Sequence, residues 1–223
     1  MNKYIEYVKS LLKEDSPRAV KGSWDAGYIE LNSVSSWVVH NRWELLQKEF
    51  VKIDNKILSL YKVNDNLNNG FVLYVGYFGF DDNYHVPKSP EAIRFITISF
   101  LGLGYTENKY NGLNYDKPIL EVSGVSTLSE FEGRGIAKRL YTYVLDNLNS
   151  LILCDSALYF GARKLWKSFS LSPTVIVDVV DINDMIVVKD NLLDMKQGED
   201  EEFDERFYSQ FYDKDNIRFI LRR

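Results

Sequence analysis

The chain contains little cysteine and little histidine. Among its 223 residues there are one cysteine, Cys154, and two histidines. A single cysteine excludes a disulfide within the chain and fits a reducing compartment. The same scarcity argues against a zinc site built from cysteine, so we expect no metal.

Long apolar runs and targeting signals are also lacking. No apolar run reaches the roughly 20 residues that a membrane-spanning helix needs. The first residues, "MNKYIEYVKSLLKEDSP", alternate apolar and charged side chains with helical spacing and do not form the apolar centre of a signal peptide. We therefore expect a cytoplasmic protein without a membrane partner.

An excess of basic residues is absent as well. The chain has 27 Lys and Arg against 32 Asp and Glu, a formal net charge of -5. This balance disfavours a nucleic-acid partner but leaves local basic patches open. In contrast, hydrophobic residues make up 45% and aromatic residues 14% of the chain, which is ample material for a buried core. The length predicts a single domain over residues 1–223.

The N-terminal part, residues 1–55, is expected to be largely helical. Residues 3–13 carry the pattern of an amphipathic helix, and "NRWELLQKEF" predicts a second helix from Asn41. The preceding residues 37–39 are compatible with a strand. The role of this part of the chain is open.

Strand patterns dominate the remainder of the chain. Alternation and β-branched or aromatic enrichment predict strands over 56–63, 71–80, 92–105, 119–128, 151–154, 174–180, 185–190 and 217–223. Helices are predicted over about 135–148 and 160–169, and an acidic segment within 190–223 precedes the last strand. Antiparallel-looking strands followed by strand–helix–strand–helix–strand predict an α/β (α+β) fold. Its central sheet is expected to be mixed, mostly antiparallel and flanked by helices.

The segment "EFEGRGIAKRL" joins the predicted strand 119–128 to the helix that follows. Glycines at 133 and 135 allow close approach of the backbone to a ligand, and the first helical turn offers unpaired N–H groups and the positive end of the helix dipole. Such a site suits a diphosphate. The segment lacks the P-loop pattern, and Lys138 stands where a Rossmann fingerprint needs a small residue. On the loop alone, a plain helix start explains the pattern equally well.

Two segments together resemble a known family. The run "EGRGIAKRLYTYVLDNL" resembles the acyl-CoA-binding segment of the GCN5-related N-acetyltransferase (GNAT) superfamily, which has the form [QR]-x-x-G-x-[GA] after a central strand. Downstream, "ARKLWKSFS" resembles the second helix of that family, usually A-x-x-L-Y-x-x-x-G-F. The resemblance covers roughly residues 119–180 in the order strand, loop, helix, strand, helix, strand.

The resemblance implies a GNAT-like fold with acetyl-CoA as co-substrate and no metal. It implies that the pyrophosphate is held by Gly133, Arg134, Gly135, Ile136 and Ala137, with Lys138 adding charge. It also implies that the pantetheine arm lies along Val125, Ser126, Thr127 and Leu128, where the sheet splays open towards the next strand. The implied reaction is N-acetyl transfer to an amine by direct attack. The acceptor, a small molecule or a protein lysine, is unknown, and the acidic composition weakly favours a basic one.

Three residues are candidates for moving protons in this reaction. Glu121 lies on the strand before the loop, and Asp155 lies at the end of the strand "LILC", so either carboxylate is a candidate base for the attacking amine. Tyr159 is a candidate acid near the family's tyrosine position. The alternatives are an exposed strand carboxylate for Glu121, a capping residue for Asp155 and a core residue for Tyr159.

Three departures from the family pattern keep other functions open. Glu132 occupies the Gln/Arg position, Trp166 occupies the tyrosine position, and Phe169-Ser170 replaces the Gly-Phe pair. Indole cannot supply a proton at useful pH. A catalytically degenerate module that binds CoA or a partner is therefore one alternative. A viral-type modifier of nucleic-acid bases on the same fold is another, weakened by the lack of basic character.

Overall fold

The computed structural model describes residues 33–65, 69–80, 93–155, 160–192 and 216–223. Within these ranges the helices are α1 (Ser36–Arg42), α2 (Ile136–Asn147) and α3 (Phe160–Ser170). The strands are β1 (Ser33–Ser35), β2 (Glu44–Ile53), β3 (Lys56–Asp65), β4 (Gly70–Phe80), β5 (Ile93–Tyr105), β6 (Ile119–Thr127), β7 (Leu151–Leu153), β8 (Ile176–Asp181), β9 (Ile186–Lys189) and β10 (Ile217–Arg222). No helix in the described ranges is long and apolar enough to cross a membrane.

The described strands form a sheet in the order β2-β3-β4-β5-β6-β7-β10-β8-β9, with β1 paired to β5. The pairs β1–β5, β2–β3, β7–β10, β8–β10 and β8–β9 run antiparallel. β6 and β7 run parallel, from Ile119 opposite Leu151 to Glu121 opposite Leu153. The predicted mixed, mostly antiparallel sheet is therefore confirmed.

Most predicted elements are confirmed, but two predictions in the N-terminal part are wrong. Residues 37–39, described as compatible with a strand, lie in helix α1. The segment "NRWELLQKEF" was expected to form a helix from Asn41, yet α1 lies earlier, at Ser36–Arg42, and Glu44–Ile53 forms strand β2. The cause is the two-residue turn at Asp54 and Asn55, where Asp54 has a left-handed φ of 52°. This turn pairs Ile53 with Lys56 in a hairpin, and the hairpin overrides the helix propensity of the preceding residues. The predicted helix over 3–13 and the acidic segment fall outside the described residues.

Contacts divide the chain into two compact units, which we describe separately. Of the described residues, the first unit contains 33–64, 72–80, 93–100 and 126–136. The second contains 65, 69–71, 101–125, 137–155, 160–192 and 216–223. The expectation of one domain over residues 1–223 stays a prediction.

The first unit has an aromatic core. Val34, Val39 and Phe95 are fully buried. Trp43, directly after α1, stacks on Tyr74 with ring centroids 4.7 Å apart and packs edge-on against Phe95 at 5.5 Å. Such offset and edge-on pairs stabilise a core beyond the area that they bury.

In the second unit, apolar side chains pack on both faces of β10. Ile220 belongs to a cluster with Leu153 and Val180. Phe219, the preceding residue, contacts the Trp166 ring of α3 with centroids 5.9 Å apart. Because successive side chains of a strand point to opposite faces, the cluster of Ile220 and the α3 contact lie on different sides of β10.

Helices α2 and α3 contact each other through aromatic rings. Tyr141 of α2 lies 5.3 Å from Phe169 and 6.0 Å from Trp166 of α3, between ring centroids. Trp166 is only 2% exposed. Its indole therefore holds α2, α3 and β10 together within the second unit.

We expect Trp166→Ala to lower the free energy of unfolding by about 3–5 kcal/mol, because the truncation leaves a cavity among three aromatic partners. Chemical denaturation followed by circular dichroism measures the change. Trp37→Ala is the matched control, since Trp37 is 58% exposed and its loss should change stability by less than about 0.5 kcal/mol. Equal effects of the two variants would contradict a core role for Trp166.

Candidate functional site

The loop after β6 is held by a short helical turn. The Leu128 N–H donates to the Ile98 carbonyl at 2.8 Å, and residues Ser129–Phe131 form a single 3-10 turn. Phe131 is buried, and its N–H donates to the Leu128 carbonyl at 2.8 Å. The chain thus reaches Glu132 with its direction set by a buried ring and two backbone bonds.

The two glycines of the loop have left-handed backbones. Gly133 has φ 72° and Gly135 has φ 77°. Residues with a Cβ adopt these backbone conformations only at a cost in free energy. A Cβ at either position would have no atom within 4 Å, and both residues are exposed. The glycines are therefore required by the backbone conformation and not by crowding, and the main chain beside them is open to a ligand.

The start of α2 is basic. Its first turn has no acidic residue and carries Lys138 followed by Arg139. Cations near the positive end of a helix dipole are destabilising by about 0.3–1 kcal/mol each unless an anion offsets them. Lys138 also lies over the Phe169 ring, with Nζ 5.8 Å from the centroid. The arrangement suits an anion, as the sequence predicted for this segment.

The side chains of the loop differ in how they are held. Arg134 donates from one terminal nitrogen to both carboxylate oxygens of Asp54, at 3.2 and 3.1 Å. The pair is exposed, and such pairs are worth less than about 1 kcal/mol, so a phosphate can compete with Asp54 for Arg134. Glu132 is exposed, with an extended backbone and its N–H donating to the Ser129 carbonyl.

The end of β6 offers backbone groups on one edge. The Ser126 carbonyl accepts from Ser99 Oγ at 2.8 Å, and the Leu128 N–H donates to Ile98, so these two residues face β5. Ser99 Oγ also lies 2.8 Å from Thr127 Oγ1. Backbone groups alternate between the two edges of a strand, so those of Val125 and Thr127 face the opposite edge.

The parallel ladder between β6 and β7 is short. It ends at the pair Glu121–Leu153, whereas β6 continues to Thr127. On its other edge β7 pairs with β10, and this pairing continues beyond Leu153, where the Cys154 N–H donates to the Phe219 carbonyl at 2.9 Å. In the described part of the chain, β6 therefore leaves its β7 partner after three paired residues.

Of the three predicted proton-moving residues, two are described. Glu121 Oε2 accepts from Lys109 Nζ and from the Tyr110 hydroxyl, both at 3.1 Å. Burial raises the pKa of Tyr110, which therefore remains a donor to the carboxylate at neutral pH. Asp155 is half-buried two residues after the end of β7. Tyr159 falls outside the described residues.

Trp166 cannot serve as an acid. Trp166 is packed among Tyr141, Phe169 and Phe219, and indole does not release a proton at useful pH. Burial also raises the pKa of Tyr141 far above its ordinary value, so this hydroxyl stays neutral. Trp166 and Tyr141 are therefore packing residues.

The described histidine has a local role. His40 Nδ1 lies 2.6 Å from the Ser36 carbonyl in α1, and its ring stacks on Phe78 at 4.9 Å. Within the described ranges, no three His, Cys, Asp or Glu side chains are grouped as metal ligands would be.

The sequence did not predict the roles of three polar residues, two of which contact Glu121. Lys109 and Tyr110 lie in the polar loop after β5 and were not predicted to reach a strand carboxylate. Arg218 is the third, a buried charge inside the apolar strand "IRFILRR". A charged residue in the middle of a buried strand pattern is itself a signal, and it was available from the sequence.

We expect Cys154 to resist thiol reagents in the folded protein. The thiol is 1% exposed and accepts the Phe219 N–H at 3.2 Å, and burial raises its pKa to about 12, so almost no thiolate forms at pH 8. Labelling with a disulfide reagent should be slow until denaturant is added, and the denatured chain is the internal control. Rapid labelling of the native protein would contradict the packing of this strand.

No protein-family model, curated protein or solved structure matches the chain. Any functional assignment therefore depends on the residues and contacts described above.

Proposed function

We propose that this protein transfers an acetyl group from acetyl-CoA to an amine by direct attack, on a GNAT-like fold whose sheet is flanked by helices. One observation carries the proposal: two left-handed, open glycines lead directly into a helix whose first turn is basic. A loop of this kind presents main-chain N–H groups to a diphosphate. The single cysteine agrees with a cytoplasmic site for the reaction.

The pyrophosphate is proposed to bind at the loop. Main-chain N–H groups from Gly133 to Ala137 donate to its oxygens, and Lys138 adds positive charge. Arg134 leaves Asp54 when the phosphate arrives, an exchange of one exposed anion for another. Glu132 does not oppose binding, because the proposed donors are backbone groups and its side chain is exposed.

The pantetheine arm is proposed to extend along β6. Its amides pair with the backbone groups of Val125 and Thr127, which face away from β5. The short β6–β7 ladder supports this proposal, since β6 continues beyond Glu121 without a β7 partner in the described chain. The thioester would then approach the residues near the end of the ladder.

The chemical step requires a base and a leaving group. The amine nitrogen attacks the thioester carbonyl carbon, the carbon–sulfur bond breaks, and the amine proton passes to a carboxylate while CoA leaves as the thiolate or thiol. Glu121 fits the role of base, because Lys109 and Tyr110 anchor its Oε2 while no donor in the described chain contacts Oε1. Asp155 is the alternative base.

Binding of acetyl-CoA is tested at Gly135. Acetyl-CoA should raise the melting temperature of the wild-type chain, as any ligand of the native state does. Gly135→Glu should abolish this shift, because a carboxylate then occupies the space of the phosphate. Gly135→Ala is the matched control: it carries the same backbone strain without the charge, and it should retain most of the shift.

If acetyl-CoA does not raise the melting temperature of the wild-type protein, the proposal that the protein binds acetyl-CoA is contradicted. An unchanged shift in Gly135→Glu would place the cofactor elsewhere.

The role of Glu121 is tested by Glu121→Gln, which keeps the size of the side chain and removes the base. We expect kcat for acetyl transfer to fall by about 100-fold or more, while acetyl-CoA binding is unchanged. Release of free CoA thiol in the presence of pooled amines measures the rate. Asp155→Asn is the matched comparison, and a loss confined to that variant would move the base to Asp155.

A second candidate function is a CoA-binding module without catalysis. The observation that favours it is Trp166, which is buried where the related family places an acid. This candidate predicts thermal stabilisation by acetyl-CoA without thiol release from any amine. The thiol assay on wild-type protein therefore separates the two functions.

A further inference from the structure

Arg218 is a buried cation without a counter-ion in the described chain. The residue is 8% exposed and is the second residue of β10. One terminal nitrogen donates to the Ile217 carbonyl at 3.0 Å, while Nε has no hydrogen-bond partner. No ion pair with Arg218 is formed among the residues that the structure describes. Buried guanidinium groups are rarely left in this state, because desolvating a charge is costly unless it is paired.

The register places Arg218 on the same face of the sheet as the proposed base. Arg218 pairs with Val180 of β8, and Val180 shares an apolar cluster with Leu153 and Ile220. Glu121 pairs with Leu153, so its side chain lies on this face too. Paired residues in a sheet project from the same face, and the described contacts of all five residues lie within the second unit.

Asp155 extends this set of charged groups. The β7–β10 register joins Leu153 to Ile220, and the bond from the Cys154 N–H to the Phe219 carbonyl continues it by one residue. The next pair in this register is Asp155 with Arg218. Their proximity agrees with the environment of the buried Cys154 thiol: burial has the largest effect on its pKa, the charge of Arg218 lowers it, and the charge of Asp155 raises it.

The Arg218 nitrogens that make no hydrogen bond to Ile217 are suited to binding a carboxylate. With one terminal nitrogen donating to Ile217, the Nε–H and the other terminal nitrogen remain as a parallel pair of donors. A carboxylate matches this pair with two parallel hydrogen bonds. Asp155 lies opposite Arg218 in the extended register, and Glu121 lies on the same face two strands away, so these carboxylates suit an ammonium group. A ligand with both an amine and a carboxylate satisfies both halves of the site.

We propose that Arg218 binds the carboxylate of the acyl acceptor, and that the acceptor is a small amino-carboxylate. This inference names the acceptor class of the proposed acetyl transfer. The binding of the carboxylate to Arg218 does not rest on the proposed reaction, whereas the role of the bound molecule as acceptor does. It disfavours a polyamine acceptor, because a polyamine would leave the guanidinium unpaired and add like charge beside it.

The direct test is titration of the Arg218 Nε–H resonance by NMR in the absence of acetyl-CoA. The resonance is assigned by its disappearance in Arg218→Lys. Glycine and acetate should shift it to saturation, whereas glycinamide, which has the same amine and no carboxylate, should leave it unchanged. Because no acetyl-CoA is present, this result does not depend on the acyl-transfer proposal.

The kinetic test uses Arg218→Lys with glycine and glycinamide as acceptors. We expect KM for glycine to rise at least tenfold, with kcat changed less, and the use of glycinamide to be unaffected. Arg218→Met should fold and be at least as stable as wild type in denaturant, because the substitution removes a buried charge and leaves no charged partner behind.

Three results would overturn the inference. One is an Nε–H resonance that moves with neither glycine nor acetate. The second is a resonance that moves only with acetyl-CoA, which would assign Arg218 to the cofactor. The third is a marked loss of stability in Arg218→Met, which would make the guanidinium a structural group. If acetyl-CoA does not bind at all, the acyl-transfer proposal is contradicted. The NMR titration with carboxylates would still test whether Arg218 binds a carboxylate.

Discussion

The parallel pairing of β6 with β7 is the constraint on which much of the structure depends. Parallel neighbours need a crossover connection, and α2 supplies it after the loop 128–135. The same pairing fixes Glu121 beside Leu153 and directs β7 towards β10. Because it ends after three residue pairs, it leaves the distal half of β6 without a β7 partner in the described chain. The loop, the helix start and the open edge thus have a common cause.

Two features go against ordinary rules of stability, and both lie where we propose function. Basic residues begin α2 at the end of the helix where they are least favourable. Arg218 carries a buried charge with an unpaired Nε. Proteins tend to retain such local conflicts at binding sites, where a ligand offsets the cost. An anion at the loop and a carboxylate at Arg218 would relieve the two conflicts separately.

Trp166 connects three elements of the second unit. Its indole packs against Tyr141 of α2, Phe169 of α3 and Phe219 of β10. A side chain so enclosed stabilises the contact of α3 with α2 and β10 and cannot reach a thiolate. If the protein is an acyltransferase, CoA must leave with the help of another acid or as the thiolate.

The sequence by itself determined most elements and the outline of the loop. Periodicity predicted most of the strands and both later helices, because burial on one face leaves a regular pattern. The sequence also singled out the glycines at 133 and 135, and the structure gives them left-handed backbones. The residues of β2 were predicted to form a helix, because helix propensity depends only on local sequence. The two-residue turn at Asp54 instead pairs them with β3 in a hairpin. Only the tertiary structure decided that Tyr110 reaches Glu121, that Trp166 is enclosed and that Arg218 shares a face with Glu121. Strand order and register decide those contacts, and both arise from pairing between residues far apart in the chain.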